Sequence, residues 1–509
     1  MALAVAMAAS GCLGDDGFQG FPDAGAPIGT LYDDPSDFDL SACEGDPVDS
    51  IDPRGFWNIQ IGGEPTPNET ARKLRVDGDE AGLTGYLGGQ QLGRIELEAG
   101  VLFLRASVDP DLAEAAAFCG VGPDGRLVGR HASCFATGCY ENDATAYPVD
   151  RLDEPEADGV ALLAEWRGPP DLLWRDVELV RHRGEVLHVL TMDGLRRIDL
   201  ADPAAPVELG WLPAGSDRFL DLAFPPGDGP LVYLAAGERG IVIADLSDPS
   251  SPVELGTFPD APEVYRLAAD GDRLYALAPA AVLVFDIANP GAPASLSELE
   301  LDVSALAVAN LAALDGVVYL LDVLNGLGLV DLTDPAAPVE LGAIGGADAL
   351  YGQSSSIALT SAGGRALALT SQEHFDGRVV VVDVAPGAPP AEIASYQTRP
   401  QVPIRGLTVA GDLAVVAHQQ DGLRLLDLSD PASPIEVGHF ASFRGTGPED
   451  GRWLRDGAVA ADVDLERGLV LLADASRGLL VLSLDENLGV GSDHYRPRPN
   501  MYATRMPAP

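Results

Sequence analysis

The sequence predicts an all-β protein, a seven-bladed β-propeller closed by an N-terminal strand and preceded by a small antiparallel β domain. Three observations carry this. The phrase DLSDPSSPVELG at 245–256 returns as DLADPAAPVELG at 199–210, as DLTDPAAPVELG at 331–342 and as DLSDPASPIEVG at 427–438. The aspartates that open these copies and two weaker ones, Asp199, Asp245, Asp286, Asp331, Asp383 and Asp427, follow one another at intervals of 41 to 52 residues, the period of four-stranded propeller blades. Between them lie short runs rich in Val, Ile and Leu, with no helical period to suggest crossover helices.

The second repeat shows the unit most clearly. FLDLAF, LVYLAAG, IVIADL and PVELGTF are four short β runs joined by tight turns. Five residues before most of the key aspartates stands a glycine: Gly194, Gly240, Gly326 or Gly422. A seventh, degenerate copy reads GLLVLSLDEN, with Gly478 in place and Ser483 where the aspartate should be. This last unit supplies only three strands, AVAADVD, GLVLLADA and LLVLSL. A candidate for its fourth strand lies at the other end, in VALLAEW at 160–166. Pairing it with the seventh unit joins the two ends of the ring and removes sheet edges that would otherwise invite aggregation.

The repeated aspartates are read as turn formers. A carboxylate at the end of a buried strand can accept hydrogen bonds from the N–H groups of the turn that follows. The prolines preset φ and remove donors at the start of an edge strand. The competing reading makes each Asp pair a calcium ligand set, calcium being a carboxylate-seeking cation. No loop shows the dense acidic alternation and terminal Glu of an EF-hand.

Upstream of the repeats, residues 46–150 alternate with period two and are punctuated by Gly and Asp-Gly, which predicts a small antiparallel β domain. It contains or adjoins Cys43, Cys119, Cys134 and Cys139, an even set that suggests two disulfides in an oxidising compartment. Three pairings are possible, and a local Cys134–Cys139 loop with Cys43–Cys119 is the expectation. The spacing lacks the paired knuckles of a zinc site. Residues 13–45 are acidic, with Gly and Pro and no apolar period, and predict a flexible tether. Residues 486–509 form a polar tail after the propeller, which is expected to span 158–485.

The bulk numbers fix the class of partner. At 509 residues the chain needs more than one core. Its composition, 46% hydrophobic and 6% aromatic, suits a globular protein. A formal net charge of −46 repels phosphate backbones, so nucleic acid is not an expected partner. Lys73 is the only lysine, so nearly all positive charge is arginine. After the first residues no run of about 20 apolar residues occurs.

Two resemblances bear on identity. The runs IVIADLSDPSSPVELG, LGLVDLTDPAAPVELG and LRLLDLSDPASPIEVG resemble the LVIVD repeat of bacterial and archaeal surface proteins, over roughly 160–485. That resemblance implies a β-propeller on an exported or cell-surface protein and no established reaction. The start MALAVAMAASGC resembles a bacterial lipoprotein signal over residues 1–12, with Ala9-Ser10-Gly11-Cys12 as lipobox. It implies acylation of Cys12 and a stable membrane anchor by lipid alone. More faintly, Gly55-Phe56-Trp57 resembles the opening of lipocalin-like barrels, and a buried tryptophan closing a small barrel accounts for the same tripeptide.

Function is expected where the repeats differ. Loops between second and third strands share one face of a propeller with the starts of inner strands. The loops offer Glu238, Arg239, Asn325, Gln372, Glu373, His374, His418, Gln419, Asp421 and Asp474, and the strand starts add Asp176, Asp221, Arg266, Arg405 and Asp456. Of these, Asp176, Asp221, Arg266, His374, Arg405, His418 and Asp421 form the candidate ligand-binding rim. No GxSxG, Walker A, HExxH or strand–GxGxxG motif is present. The expected role is a lipid-anchored, monomeric, non-catalytic binding or scaffolding module at the cell surface, meeting a protein or glycan, with no cofactor beyond the calcium alternative. A hydrolase or lyase acting on a sugar or lactone at the channel mouth is the competing expectation.

Overall fold

The structure is a computed structural model. It describes residues 18–19 and 32–488, other than 42, 63–71, 80–81, 110–111, 136–137, 170–171, 175–176, 182–184, 192, 216–217, 228, 302–307, 323–325, 346–353, 447–449, 451–455 and 486–487. Cys12, Asp176, Asn325 and nearly all of the C-terminal tail therefore lie outside the described residues. Among those described there is no α-helix, and no helix long and apolar enough to cross a membrane. The chain divides into two compact units, the first comprising 1–151 with 374–376 and 444–454, the second the remainder.

The first unit is a closed up-and-down barrel. Its eight strands are Gly55–Ile61, Arg72–Asp79, Gly82–Leu87, Gln90–Glu98, Val101–Asp109, Leu112–Val121, Leu127–Phe135 and Gly138–Pro148. Each pairs with the next, and the eighth returns to the first through Trp57 opposite Pro148, so no edge is left between them. Alternation turns Trp57, Ile59, Leu74, Leu104 and Phe118 into one buried core. The indole N–H of Trp57 donates to Pro53 O at 3.0 Å, which satisfies the polar end of the largest core side chain. Disulfides join Cys43 to Cys119 and Cys134 to Cys139. The described part of the segment expected to be a tether packs onto the barrel. Tyr32 and Phe38 are buried with Phe103, and the Tyr32 hydroxyl donates to Glu141 at 2.9 Å. Burying two aromatic side chains outweighs the acidity that made this segment read as free chain.

The second unit is a propeller of seven antiparallel sheets, six of four strands and one, the sixth blade, extended to five by the two-residue strand Ala157–Asp158. The first six blades run in chain order from Glu178–Arg181 to Ile435–Phe440. The seventh takes Ala458–Asp464, Leu469–Asp474 and Gly478–Leu484, and its outer strand is Val160–Trp166 from the N-terminal side. Blades seven and one then share a core that includes Trp174, Leu179, Val459 and Leu471, and the ring is closed. Arg477 fastens the added strand. Its guanidinium, almost fully buried, bonds Glu165 at 3.1 Å and Ser442 O at 3.2 Å and lies over the Phe440 ring.

Register shows that the added strand imitates the repeat. In each of the six continuous blades the outer strand carries one extra residue at a β-bulge: Leu209, Leu255, Leu296, Leu341, Ile393 and Val437. The N-terminal strand has the same bulge at Leu163. The extra residue twists an edge that would otherwise be a flat pairing template.

The repeated phrase has two structural effects. The Oδ1 of each key aspartate accepts the N–H two residues on, from Asp199 with Ala201 at 2.8 Å through Asp427 with Ser429 at 2.8 Å. With these N–H groups satisfied inside the turn, its carbonyls are left to accept from the preceding blade. Arg197 of blade one donates to Leu246 O and Asp248 O of blade two at 3.0 and 3.2 Å. Tyr233 of blade two donates to Pro290 O of blade three at 2.9 Å. Arg273 of blade three donates to Thr333 O of blade four at 2.7 Å, and Arg467 of blade seven reaches Leu200 O and Ala201 O of blade one.

The glutamate of the phrase latches the outer strand. Arg196 pairs with Glu208 at 3.0 Å, Arg239 with Glu254 at 2.6 Å and Arg424 with Glu436 at 3.2 Å. In blade four the position equivalent to Arg196 and Arg424 is Gly328, and a Cβ there would meet nothing within 4 Å. Gly328→Arg is therefore expected to pair with Glu340 and raise stability by about 0.5–1 kcal/mol in urea unfolding. Arg467→Ala, which removes charged donors from the blade seven to blade one seam, is expected to cost about 1.5–3 kcal/mol in the same measurement.

Candidate functional site

The seven inner strands enclose an axial cavity of about 280 Å³, lined by residues from every blade. Cross-strand register gives the equivalent positions. The residues opposite Leu190, Ala235, Leu277, Leu321, Ser371, Ala417 and Ala473 are Glu178, Asp221, Arg266, Asn310, Ser356, Gly406 and Ala460. Next along each strand come Leu179, Leu222, Leu267, Leu311, Ile357, Leu407 and Ala461, whose side chains belong to the cores between blades. A further step gives Val180, Ala223, Ala268, Ala312, Ala358, Thr408 and Asp462. Each inner strand is thus a triplet with a buried apolar middle, as period-two alternation requires. The first positions form a polar arc over five blades at the end shared with the second-to-third-strand loops. The third positions form a girdle of mostly small side chains beneath it.

The arc is held by the scaffold. The Asp221 carboxylate oxygens accept Leu222 N and Leu267 N, each at 2.7 Å, so the residue bridges blades two and three. Leu311 N donates to Asn310 Oδ1 at 2.9 Å, and Ser356 Oγ donates to Leu407 O at 3.2 Å. Arg266 donates to Leu220 O at 2.8 Å. Burial pushes the Asp221 carboxyl well above the usual carboxylate range, and neighbouring Glu178, joined to it by a side-chain hydrogen bond, adds to the rise while Arg266 opposes it.

Of the sequence-predicted rim, Asp221 and Arg405 line the cavity and Arg266 stands at the same level. Arg405 lies 3.5 Å from Glu373, which also accepts from Gln419 at 3.3 Å. His418 and Asp421 are elsewhere. Both are fully buried, in a cluster with Thr398 and Arg399. Thr398 Oγ lies 3.1 Å from His418 Nε2 and donates to Asp421, which Arg399 pairs at 2.5 Å. The carboxylate meets the hydroxyl rather than His418 Nδ1, which has no hydrogen-bond partner among the described residues, so the cluster lacks the relay of a catalytic triad. His374 falls in the first unit, with its Nδ1 2.6 Å from Phe375 O. Asp456 and Asp474 are buried, with carboxylates accepting Gly457 N at 3.1 Å and Ser476 N at 2.9 Å.

Sequence reasoning missed Glu178, although ELV, DLA, RLA and NLA are visibly one triplet in four repeats. Thr398 and Arg399 carry no sequence signal, since they belong to the variable segment between blades five and six.

Glu154, Glu436 and His439 bring three metal-ligating atoms within 4.8 Å of one another. They do not fit a metal. The Arg424 guanidinium already holds Glu154 with two bonds, at 2.6 and 2.9 Å, and Glu436 at 3.2 Å, so a cation occupies the charge-compensating position. The carboxylates hold the Arg424 pKa above its ordinary value.

Fold and cavity together define a seven-bladed β-propeller with a ligand-sized axial channel. Three of its repeats are LVIVD repeats: the family model described as "LVIVD repeat" matches residues 229–260, 307–344 and 404–442. No curated protein matches the chain. Among solved structures, the crystal structure of the computationally designed Ika8 protein aligns at 14% identity and a TM-score of 0.43, over 64% of this chain and 99% of that one.

Burial holds the His418 imidazole down, to about 4. As pH falls below the ordinary histidine value near 6.5, the unfolded chain takes up a proton that the folded site refuses until about pH 4. His418 is expected to contribute a loss of roughly 3 kcal/mol across that window, beside the like contribution of buried His131 in the first unit. His418→Gln should remove the His418 share of the drop in urea unfolding measured at pH 7, 5.5 and 4.5.

Proposed function

We propose that the protein is an exported β-propeller that acts as a non-catalytic binding or scaffolding module at the cell surface, anchored through lipid on Cys12 and engaging a protein or glycan partner. The observation that supports binding over chemistry is the state of the channel mouth. Its polar side chains Asp221, Asn310 and Ser356 are each fixed by backbone hydrogen bonds, which suits recognition by a preset surface. Among the described residues, the one hydroxyl–imidazole contact near a carboxylate, at Thr398, is wired for packing. The two disulfides agree with an oxidising compartment.

One observation favours a second reading. A carboxyl whose pKa is raised by burial and by a second carboxyl, with an arginine opposing, is the environment of a general acid, and Asp221 with Glu178 and Arg266 has it. A hydrolase or lyase acting on an extracellular sugar or lactone is the activity this would serve. One set of measurements separates the readings. Cys12→Ser is expected to move the protein from the membrane to the soluble fraction of expressing cells, and the wild type is expected to turn over no member of a glycoside and lactone panel. Membrane association that survives Cys12→Ser removes the anchor. Turnover lost in Asp221→Asn establishes the second reading in place of the first.

A further inference from the structure

The axial channel has two chemically distinct levels, and they imply a ligand class. The upper arc offers carboxyl and amide oxygens from Glu178, Asp221 and Asn310 and the hydroxyl oxygen of Ser356. One strand step below the buried middle residues, Ala223, Ala268, Ala312 and Ala358 form an aliphatic girdle with little side-chain volume. These alanines line the cavity while also packing against the cores between blades, and their small side chains leave space that larger ones would fill. A cavity of roughly 150 Å³ accepts a benzene, so 280 Å³ takes a molecule of about eleven heavy atoms.

The mouth brings arginines to its carboxyls although the protein as a whole carries −46. The Glu178 and Asp221 carboxyls are joined by a hydrogen bond, and Arg266 lies close enough to act on Asp221 electrostatically. On the other side of the mouth Arg405 faces Glu373 at 3.5 Å. A charged head group would have to break one of these pairs and leave its partner uncompensated in a confined space. A hydroxyl, amide or carbonyl can use the donors and acceptors as they stand.

We propose that the channel binds a small amphipathic molecule, with an uncharged hydrogen-bonding head among Glu178, Asp221 and Asn310 and an aliphatic tail against the alanine girdle. The assignment rests on the reading of the channel as a binding site and adds the chemistry of its occupant.

Three probes of equal chain length test it: 1-octanol, octanoate and octylammonium, titrated by calorimetry into the full chain at pH 7. Octanol is expected to bind at least about tenfold more tightly than either charged probe. Ala312→Leu and Ala268→Leu, placed in blades four and three, should each weaken octanol binding by about tenfold or more by filling the girdle, with far-ultraviolet circular dichroism unchanged. If one variant fails to fold, the other decides. Octanoate or octylammonium binding as tightly as octanol, and lost in the leucine variants, would overturn the uncharged head group and leave the channel as a site. Binding of no probe, or octanol binding unchanged in a folded leucine variant, would overturn the proposal altogether. None of these outcomes depends on membrane association or turnover, which test the reading beneath it.

Discussion

The seam that closes the ring is the contact on which the propeller depends. Six blades are built from consecutive strands, but the seventh is complete only when Val160–Trp166 pairs with Gly478–Leu484. Until then the third strand of the last blade is an open edge, and the Arg477 guanidinium has no carboxylate opposite it. Closure joins residues more than 300 positions apart, so the loop-closure entropy falls on this one event. The register match between this strand and the six intact outer strands, down to the bulge at Leu163, shows that it replaces a missing repeat strand rather than covering an edge.

Around the ring the same economy recurs at smaller scale. An aspartate side chain satisfies an N–H of each inter-strand turn, which leaves turn carbonyls to accept from the blade before. Arginine suits the acceptor role of its neighbours because its planar fork can reach two carbonyls at once, as Arg197 and Arg273 do. The predominance of arginine over lysine in this acidic chain therefore has structural use, whatever produced it. The repeat binds blades together, and the channel is what remains where inner-strand positions are free to differ.

Local features were legible in the sequence. The Asp199-type turns, the four-strand unit and the role of VALLAEW follow from spacing and alternation, because each rests on hydrogen bonds within a few residues or on a repeated pattern. The candidate site was legible in part. Asp221 and Arg266 begin inner strands and Arg405 stands just before one, where repeat spacing put them, whereas Glu178 was overlooked in a triplet that varies at its first letter. His418 and Asp421 looked like rim residues because they sit in a polar loop, and nothing local shows that Thr398 and Arg399 fold over them.

What the sequence by itself determined was the all-β class, the blade count, the turn chemistry and the even cysteine set, since periodicity and short-range hydrogen bonding are properties of the chain. Only the tertiary structure decided which polar residues share the channel, that Arg424 takes the place a cation would need between Glu154 and Glu436, and that Tyr32 and Phe38 bind the acidic segment to the barrel. Those outcomes depend on distances between groups remote in sequence, and burial and charge balance act through distance.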